Sequence, residues 1–283
     1  MDCVICRYGE IALKGRNRNL FEKQLVSNIK DCLSRNKISG VVKRERGRIF
    51  VFSEDVKALS FIKDVFGLVS ISSAVITKLD VELIKDKVLE YVKNISGKIS
   101  TFRVTSKRME KRFEKTSHEM DIILGDLIHD SLDIKVDLHN PDLNLCVEIL
   151  DNAYIFHEKI DCFGGLPIGM GGNVVCIIED ENDILAAWLM MKRGCHVFPV
   201  SYKKTSISML ERFSYGTKIQ LKTVKDIEDI NSYIEINDCR ALVVGDVLED
   251  FNPKKYEGVQ AILLTPLVGY DAESVQELLK SLK

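Results

Sequence analysis

The residues of this chain best suited to chemistry are charged, and the charges are sorted along it. Lys14, Arg16 and Arg18 fall in a Gly/Asn-rich loop. Lys43, Arg44, Arg46 and Arg48 line two short runs around Gly47, and Arg103, Lys107, Arg108, Lys111, Arg112 and Lys115 surround a strand-to-helix connection. From Met1 to Ser53 there are 12 Lys/Arg against 5 Asp/Glu, and from Lys98 to Lys115 there are 7 against 2. From Gly172 onward the balance reverses to 13 against 17. A formal charge of −2 therefore hides a basic front and an acidic back, and the front suits a polyanion. Any one such run is also what a solvated face looks like. Three of them on modules packed side by side make a track for phosphates, with sequence-independent, salt-sensitive affinity. Of the aromatics only Tyr8 and Phe113 accompany these cations, and both also suit a core or its rim. Recognition by shape and backbone is therefore expected ahead of base stacking.

Ile178-Glu179-Asp180-Glu181-Asn182-Asp183 places four acids where a helix running to Arg193 begins. A helix N-terminus attracts anions through its free N–H groups and its dipole. Here Asp180, Glu181 and Asp183 are expected to satisfy that end from within the chain. The alternative, a magnesium site, has no evident phosphate partner, and no metal is assigned. Cys3 and Cys6 form a CxxC, but on a strand residues three apart point to opposite faces. With no second ligand pair at zinc spacing, core packing is expected.

The periodicities supply the elements that position these groups. Cys3–Tyr8 reads as a strand, and Phe21, Leu25, Ile29, Cys32 and Leu33 form one helical stripe, with Asn17 or Asn19 as its cap. A hairpin around Gly47, a helix over 55–65 burying Val56, Leu59 and Ile62, and a strand over 68–76 complete a βαββαβ, ferredoxin-like order. Asp80 caps a helix carrying Val81, Ile84, Val88, Tyr91 and Ile95. The strand at 101–105 buries Phe102 and Val104, and Thr116 with Glu119 has capping-box spacing. After Leu143, Leu145, Val147 and Ile149 alternate, Asp151-Asn152 turns the chain. Beyond Gly164-Gly165-Leu166-Pro167-Ile168-Gly169, four short apolar runs (174–178, 196–200, 241–244 and 261–264) alternate with helical segments, the pattern of a parallel sheet covered on both faces. The fold expected is α/β and α+β in three consecutive modules, residues 1–77, 78–163 and 164–283. Eight cysteines without a leader peptide, and no apolar run of about 18 residues, point to reduced thiols, a cytoplasmic protein and no membrane.

The run Arg7-Tyr8-Gly9-Glu10-Ile11-Ala12-Leu13-Lys14-Gly15, with Asn17, Arg18, Phe21 and Glu22, resembles the opening of the thiouridine synthase (ThiI) family. Phe102 to Arg108, the capped helix after them and the Gly164–Gly169 junction resemble that family's THUMP domain and its link to the catalytic domain. Met191-Lys192-Arg193-Gly194, Ala241-Leu242-Val243-Val244-Gly245-Asp246 and Pro266-Leu267-Val268-Gly269-Tyr270-Asp271 follow its PP-loop domain in order. The resemblance implies a ferredoxin-like and a THUMP domain that hold tRNA by its acceptor end, a PP-loop domain that adenylates a uridine with ATP, and a persulfide cysteine that delivers sulfur. In that context the three basic clusters favour phosphate binding over solvated faces.

The resemblance also exposes departures. The family's Ser-Gly-Gly-x-Asp-Ser loop falls on Ile178–Asp183, where none of its defining residues stands. Glycines let the backbone approach a pyrophosphate. A carboxylate about 4 Å from a phosphate costs on the order of 4 kcal/mol at an effective dielectric near 20. After Gly245-Asp246 the chain reads Val247-Leu248-Glu249-Asp250-Phe251 in place of a Gln and a small polar stretch. Cys195 and Cys239 do not match the sulfur-transfer position and read as core thiols, and no rhodanese-like domain is expected after Lys283. The expectation is a tRNA-binding relative that presents the acceptor region without catalysis or cofactor, possible partners being a separate modifying enzyme and a second copy in a homodimer. Two alternatives stay open: an ATP-dependent sulfurtransferase using Mg-ATP through an atypical or partner-supplied site, and an interaction module whose RNA binding is incidental.

Overall fold

The computed structural model describes residues 1–95 and 99–282; Lys98, counted in the second basic run, lies outside them. The chain opens with β1 (Cys3–Tyr8), α1 (Arg18–Arg35), β2 (Val41–Glu45), β3 (Arg48–Phe52), α2 (Lys57–Ile62) and β4 (Leu68–Thr77), the βαββαβ order of a ferredoxin-like module. There follow α3 (Val81–Lys93), β5 (Thr101–Arg108), α4 (Ser117–Leu132), β6 (Lys135–Val136), β7 (Leu143–Ile149), β8 (Ala153–Phe156) and β9 (Ile160–Asp161). The last stretch holds β10 (Asn173–Ile177), α5 (Glu181–Lys192), β11 (His196–Ser201), α6 (Ser208–Arg212), β12 (Lys222–Thr223), α7 (Ile227–Ile236), β13 (Ala241–Val243), β14 (Ile262–Leu264) and α8 (Ala272–Leu282).

The backbone separates into two compact units that interleave along the chain. The first comprises Met1–Cys6, Ile38–Leu59 and Ile71–Ile160; the second comprises Arg7–Lys37, Ser60–Ser70 and Asp161 onward. In the first, the strands follow the order β2-β3-β1-β4-β8-β7-β5-β6. β5 and β7 run parallel, joined by the crossover through α4, and β7 and β8 form an antiparallel hairpin at Asp151-Asn152. Asp80 caps α3 through the Leu83 N–H, and Thr116 and Glu119 form the expected capping box on α4. The inward faces of these helices, Ile84, Val88, Met120, Leu124 and Ile128, pack on Phe102, Leu145, Val147 and Ile149. Each such fully buried side chain contributes about 1.5–3 kcal/mol.

The second unit is built on a five-stranded, wholly parallel sheet of order β12-β11-β10-β13-β14. Around Trp188 the rings of Phe66, Phe163 and Phe213 pack edge-on. Two of the sequence motifs meet here: the Leu166 N–H donates to the Lys192 carbonyl, and the Gly169, Met170 and Gly171 N–H groups donate to that of Gly194. Gly165, at φ +77°, passes so close that a Cβ would stand 2.1 Å from the Lys192 oxygen. The junction therefore needs glycine for both space and conformation.

Some local expectations fail. Asn17 stands at the start of α1 with no side-chain cap, because the preceding residues form a 3-10 turn, and Asn19 lies inside the helix. The helix over 55–65 shortens to α2, leaving Val56 exposed while Ala58 and Ile62 are buried. Cys3, Cys6, Cys195 and Cys239 are all buried thiols outside any disulfide. Burial pushes Cys3 up to about 12 and Cys239 to about 11, so neither is a ready nucleophile.

Candidate nucleic-acid interface and the loop before α5

In the first unit the predicted basic residues divide by type. The arginines are engaged within the protein. Arg46, at the hairpin tip, donates to Glu110 at 2.5 Å and lies 3.0 Å from Asp151; Arg48 reaches the buried Glu148 at 3.4 Å; and Arg112 clasps Glu110 with both its side chain and its backbone N–H. Arg103 donates to the Leu138 carbonyl and to Asn144, and Arg108 to the carbonyls of Phe113 and Lys115. Glu110 is held well below the usual carboxylate range, first by the Arg112 side chain and backbone and then by Arg46.

The lysines are different. Lys43, Lys107 and Lys111 are exposed. Lys43 lies over the Phe52 ring, and Lys107 and Lys111 have no ion pair among the described residues. Arg44 is also exposed, and Lys115 is half-buried. The ammonium groups of these lysines suit phosphates as point charges, whereas the planar guanidinium fork suits fixed carboxylates. Phe113 is buried in the core beneath this face.

Within the second unit, Arg18 donates to Glu22 at 2.8 Å and to the Tyr8 hydroxyl at 2.9 Å, and Tyr8 itself donates to Glu22. Arg16 is exposed, and Lys14, half-buried, lies over Phe21. The loop's cations thus range from a structural arginine to an exposed one.

The loop before α5 is closed by its own carboxylates. β10 delivers buried Ile178, and the chain bends at Glu179-Asp180. The Asp180 side chain accepts from the N–H groups of Asn182 and Asp183, at 2.9 and 3.1 Å. Asp183 accepts from the N–H of Gly245 at 2.7 Å, of Glu179 at 2.8 Å and, at 3.4 Å, of Asp180, completing the capping box. Burial pushes Asp183 up to about 6 against these hydrogen bonds. Glu179 is likewise penalised by burial, yet Ser201, the Tyr202 N–H and Lys203 bring it below its ordinary value. Glu181 and Asn182 complete the first turn.

A cavity of about 440 Å³ remains beside this loop, lined by Asp180, Asp246, Asp250, Lys255, Tyr202 and Tyr256 among others. It lies at the carboxyl ends of β10 and β13, where open parallel sheets bind ligands. The residues do not fit a nucleotide phosphate. Gly245 is pressed against α5, where a Cβ would meet the Asp183 nitrogen at 2.4 Å, and the N–H groups that would cradle an anion already have carboxylate partners. Among the described residues no cluster of three or more His, Cys, Asp or Glu has the arrangement to hold a metal.

The sequence pattern identifies the cations and the acidic loop but not Glu110, Glu148 and Asp151, whose partners on the β2–β3 hairpin lie 64 to 105 positions away, by residue numbers, nor Gly245 as the second wall of the loop. Only Gly245 carried a signal, as part of a motif.

Comparison with known proteins adds independent findings. The ThiI ferredoxin-like domain family matches residues 3–72 and the THUMP domain family matches residues 78–158. A protein of Natranaerobius thermophilus named "Probable tRNA sulfurtransferase" is 38% identical over 242 residues, covering 81% of this chain and 56% of that protein. One of the same name from Caldanaerobacter subterraneus subsp. tengcongensis is 40% identical over 206 residues, covering 71% and 53%. The chain thus spans a little over half the length of these curated relatives. Among solved structures, PH1313 from Pyrococcus horikoshii superposes with a TM-score of 0.90 at 32% identity, covering 100% of this chain and 99% of that one. A 4-thiouridine synthetase in complex with RNA and bound ATP superposes with a TM-score of 0.83 at 27% identity, covering 100% and 85%. No helix among the described residues is long and apolar enough to cross a membrane.

Proposed function

The chain belongs to the ThiI-like family of THUMP-domain proteins, and from that premise we propose that it binds tRNA and presents the acceptor region for modification without adenylating the RNA itself. The related synthetase binds RNA and ATP. The RNA half of that pairing is supported here by the exposed Lys43, Lys107 and Lys111 and by a THUMP domain over 78–158. The observation that carries the non-adenylating half is the self-capped start of α5. Asp180 and Asp183 take the N–H groups of Glu179, Asp180, Asn182, Asp183 and Gly245, and their charge repels a triphosphate.

The domains read as 1–77, 78–163 and 164–283 in this proposal, with tRNA as partner and the modifying chemistry supplied by a separate enzyme. A soluble, cytoplasmic setting fits that role. A second reading, an active sulfurtransferase, is favoured by the names of the curated relatives and by the cavity beside the loop. Calorimetric titration of Mg-ATP into the protein, with and without bound unmodified tRNA, separates the two. Under the proposal tRNA binds and Mg-ATP gives no saturable heat in either case; tight Mg-ATP binding overturns it in favour of the sulfurtransferase.

A further inference from the structure

The tip of the β2–β3 hairpin is built at a conformational cost. Glu45 pairs with Arg48, leaving Arg46 and Gly47 as a two-residue turn with φ of +41° and +79°. Turns with two positive φ values favour Asn-Gly or Gly-Gly, and a branched-tip cation at the first position is uncommon. What Arg46 gains is reach. Its guanidinium meets Glu110 and Asp151 and lies 3.5 Å from the Met109 carbonyl. Glu110 in turn is anchored through its N–H to the Ile149 carbonyl and clasped by Arg112.

A buried acid at the centre of a basic face is the anomaly. If this face existed only to attract phosphates, Glu110 would work against it. The lysines around the pair resolve the conflict: Lys43 lies on β2, three residues before Arg46; Lys107, one residue before the end of β5, stands opposite Glu148 in the β5–β7 register; and Lys111 follows Glu110 directly. Glu110 therefore joins the two segments that carry the exposed lysines.

We propose that Arg46 and Glu110 are positioning residues for RNA binding, a latch that fixes the β2–β3 hairpin to the β5–α4 connection so that Lys43 on one and Lys107 and Lys111 on the other meet the phosphate backbone together. This rests on the tRNA-binding reading. It assigns Arg46 a role different from direct phosphate contact, and it gives an acidic residue a positive contribution to binding a polyanion.

Two substitutions test it because charge alone predicts the opposite or nothing. Glu110→Gln removes a negative charge, so electrostatics alone tightens binding; Arg46→Lys keeps the charge, so a simple phosphate contact survives. Affinity of the whole 283-residue chain for an unmodified tRNA transcript is measured by fluorescence anisotropy across a series of NaCl concentrations. Near-ultraviolet circular dichroism and thermal melting run alongside.

Both variants are expected to bind about tenfold more weakly, as when a charged hydrogen bond is lost, with a shallower salt dependence as phosphate contacts fall out of register. A merely structural role moves the melting temperature and leaves affinity and salt slope in place. If Glu110→Gln fails to fold, Arg46→Lys, on an exposed turn, decides alone. Binding by either folded variant within twofold of the unmodified protein, or tighter, overturns the latch. Failure of the unmodified protein to bind tRNA overturns the RNA reading and the latch with it.

Discussion

Two connections in this protein share a plan and differ in what they present. In the first unit, β5 leads through residues 109–116 into α4; in the second, β10 leads through residues 178–180 into α5. Both helices open with a complete capping box, Thr116 with Glu119 and Asp180 with Asp183. The first cap is a neutral hydroxyl, and the end of β5 and the connection after it offer Lys107 and Lys111 to solvent while the connection's one buried acid, Glu110, is held by two arginines. The second cap is a carboxylate, and a second carboxylate beneath it also takes the Gly245 N–H. Helix geometry is thus indifferent to the charge of its cap. Whether such a connection receives an anion depends on whether the chain has already supplied one.

The largest effect that would break this contrast is charge reversal on the first connection. Lys107→Glu with Lys111→Glu is expected to weaken tRNA binding by about 100-fold and to lower the salt slope by about two, with folding intact because both side chains are exposed. Reversing Arg103 and Arg108 is a poorer test, since both hold carbonyls of their own unit. Unchanged affinity in the double lysine variant removes this connection from the interface.

The two caps give the next comparison. Thr116→Ala and Asp180→Ala are each expected to cost about 1 kcal/mol in urea denaturation at neutral pH. A much smaller loss at Asp180 would mean that repulsion from Asp183 and Glu179 offsets its capping.

A comparable effect, roughly 1–2 kcal/mol between pH 4.5 and 7, is expected in the pH dependence of Asp183. Burial raises its folded pKa to about 6, so the folded state holds this proton more firmly than the unfolded chain does. Its contribution is fully present below the unfolded carboxylate value and is lost as pH rises through about 6. The stability difference between the unmodified protein and Asp183→Asn, measured by urea melts from pH 4.5 to 7, should therefore shift in favour of the unmodified protein as the pH falls. A flat difference would mean that Asp183 is solvated, and the closed-loop description would fail with it.

The sequence by itself determined what short-range physics encodes. The periodicities of α3 and α4, the alternation in β7, the caps at Asp80 and Thr116, and the acids at the start of α5 each depend on residues within a few positions of one another, and they emerge where expected. Short elements were invisible: β6 and β12 have two residues each, too few for a period, and exist because a neighbouring strand pairs with them. Val56 faces solvent because α2 begins only at Lys57, one residue after it, a matter of packing and not of pattern. Above all, tertiary structure decided the meaning of the cations. Arg46 and Arg48 resemble Lys43 as charges on a hairpin, but their carboxylate partners lie 64 and 100 positions away. An ion pair between such distant segments leaves no local signature, because the fold alone brings the charges within reach.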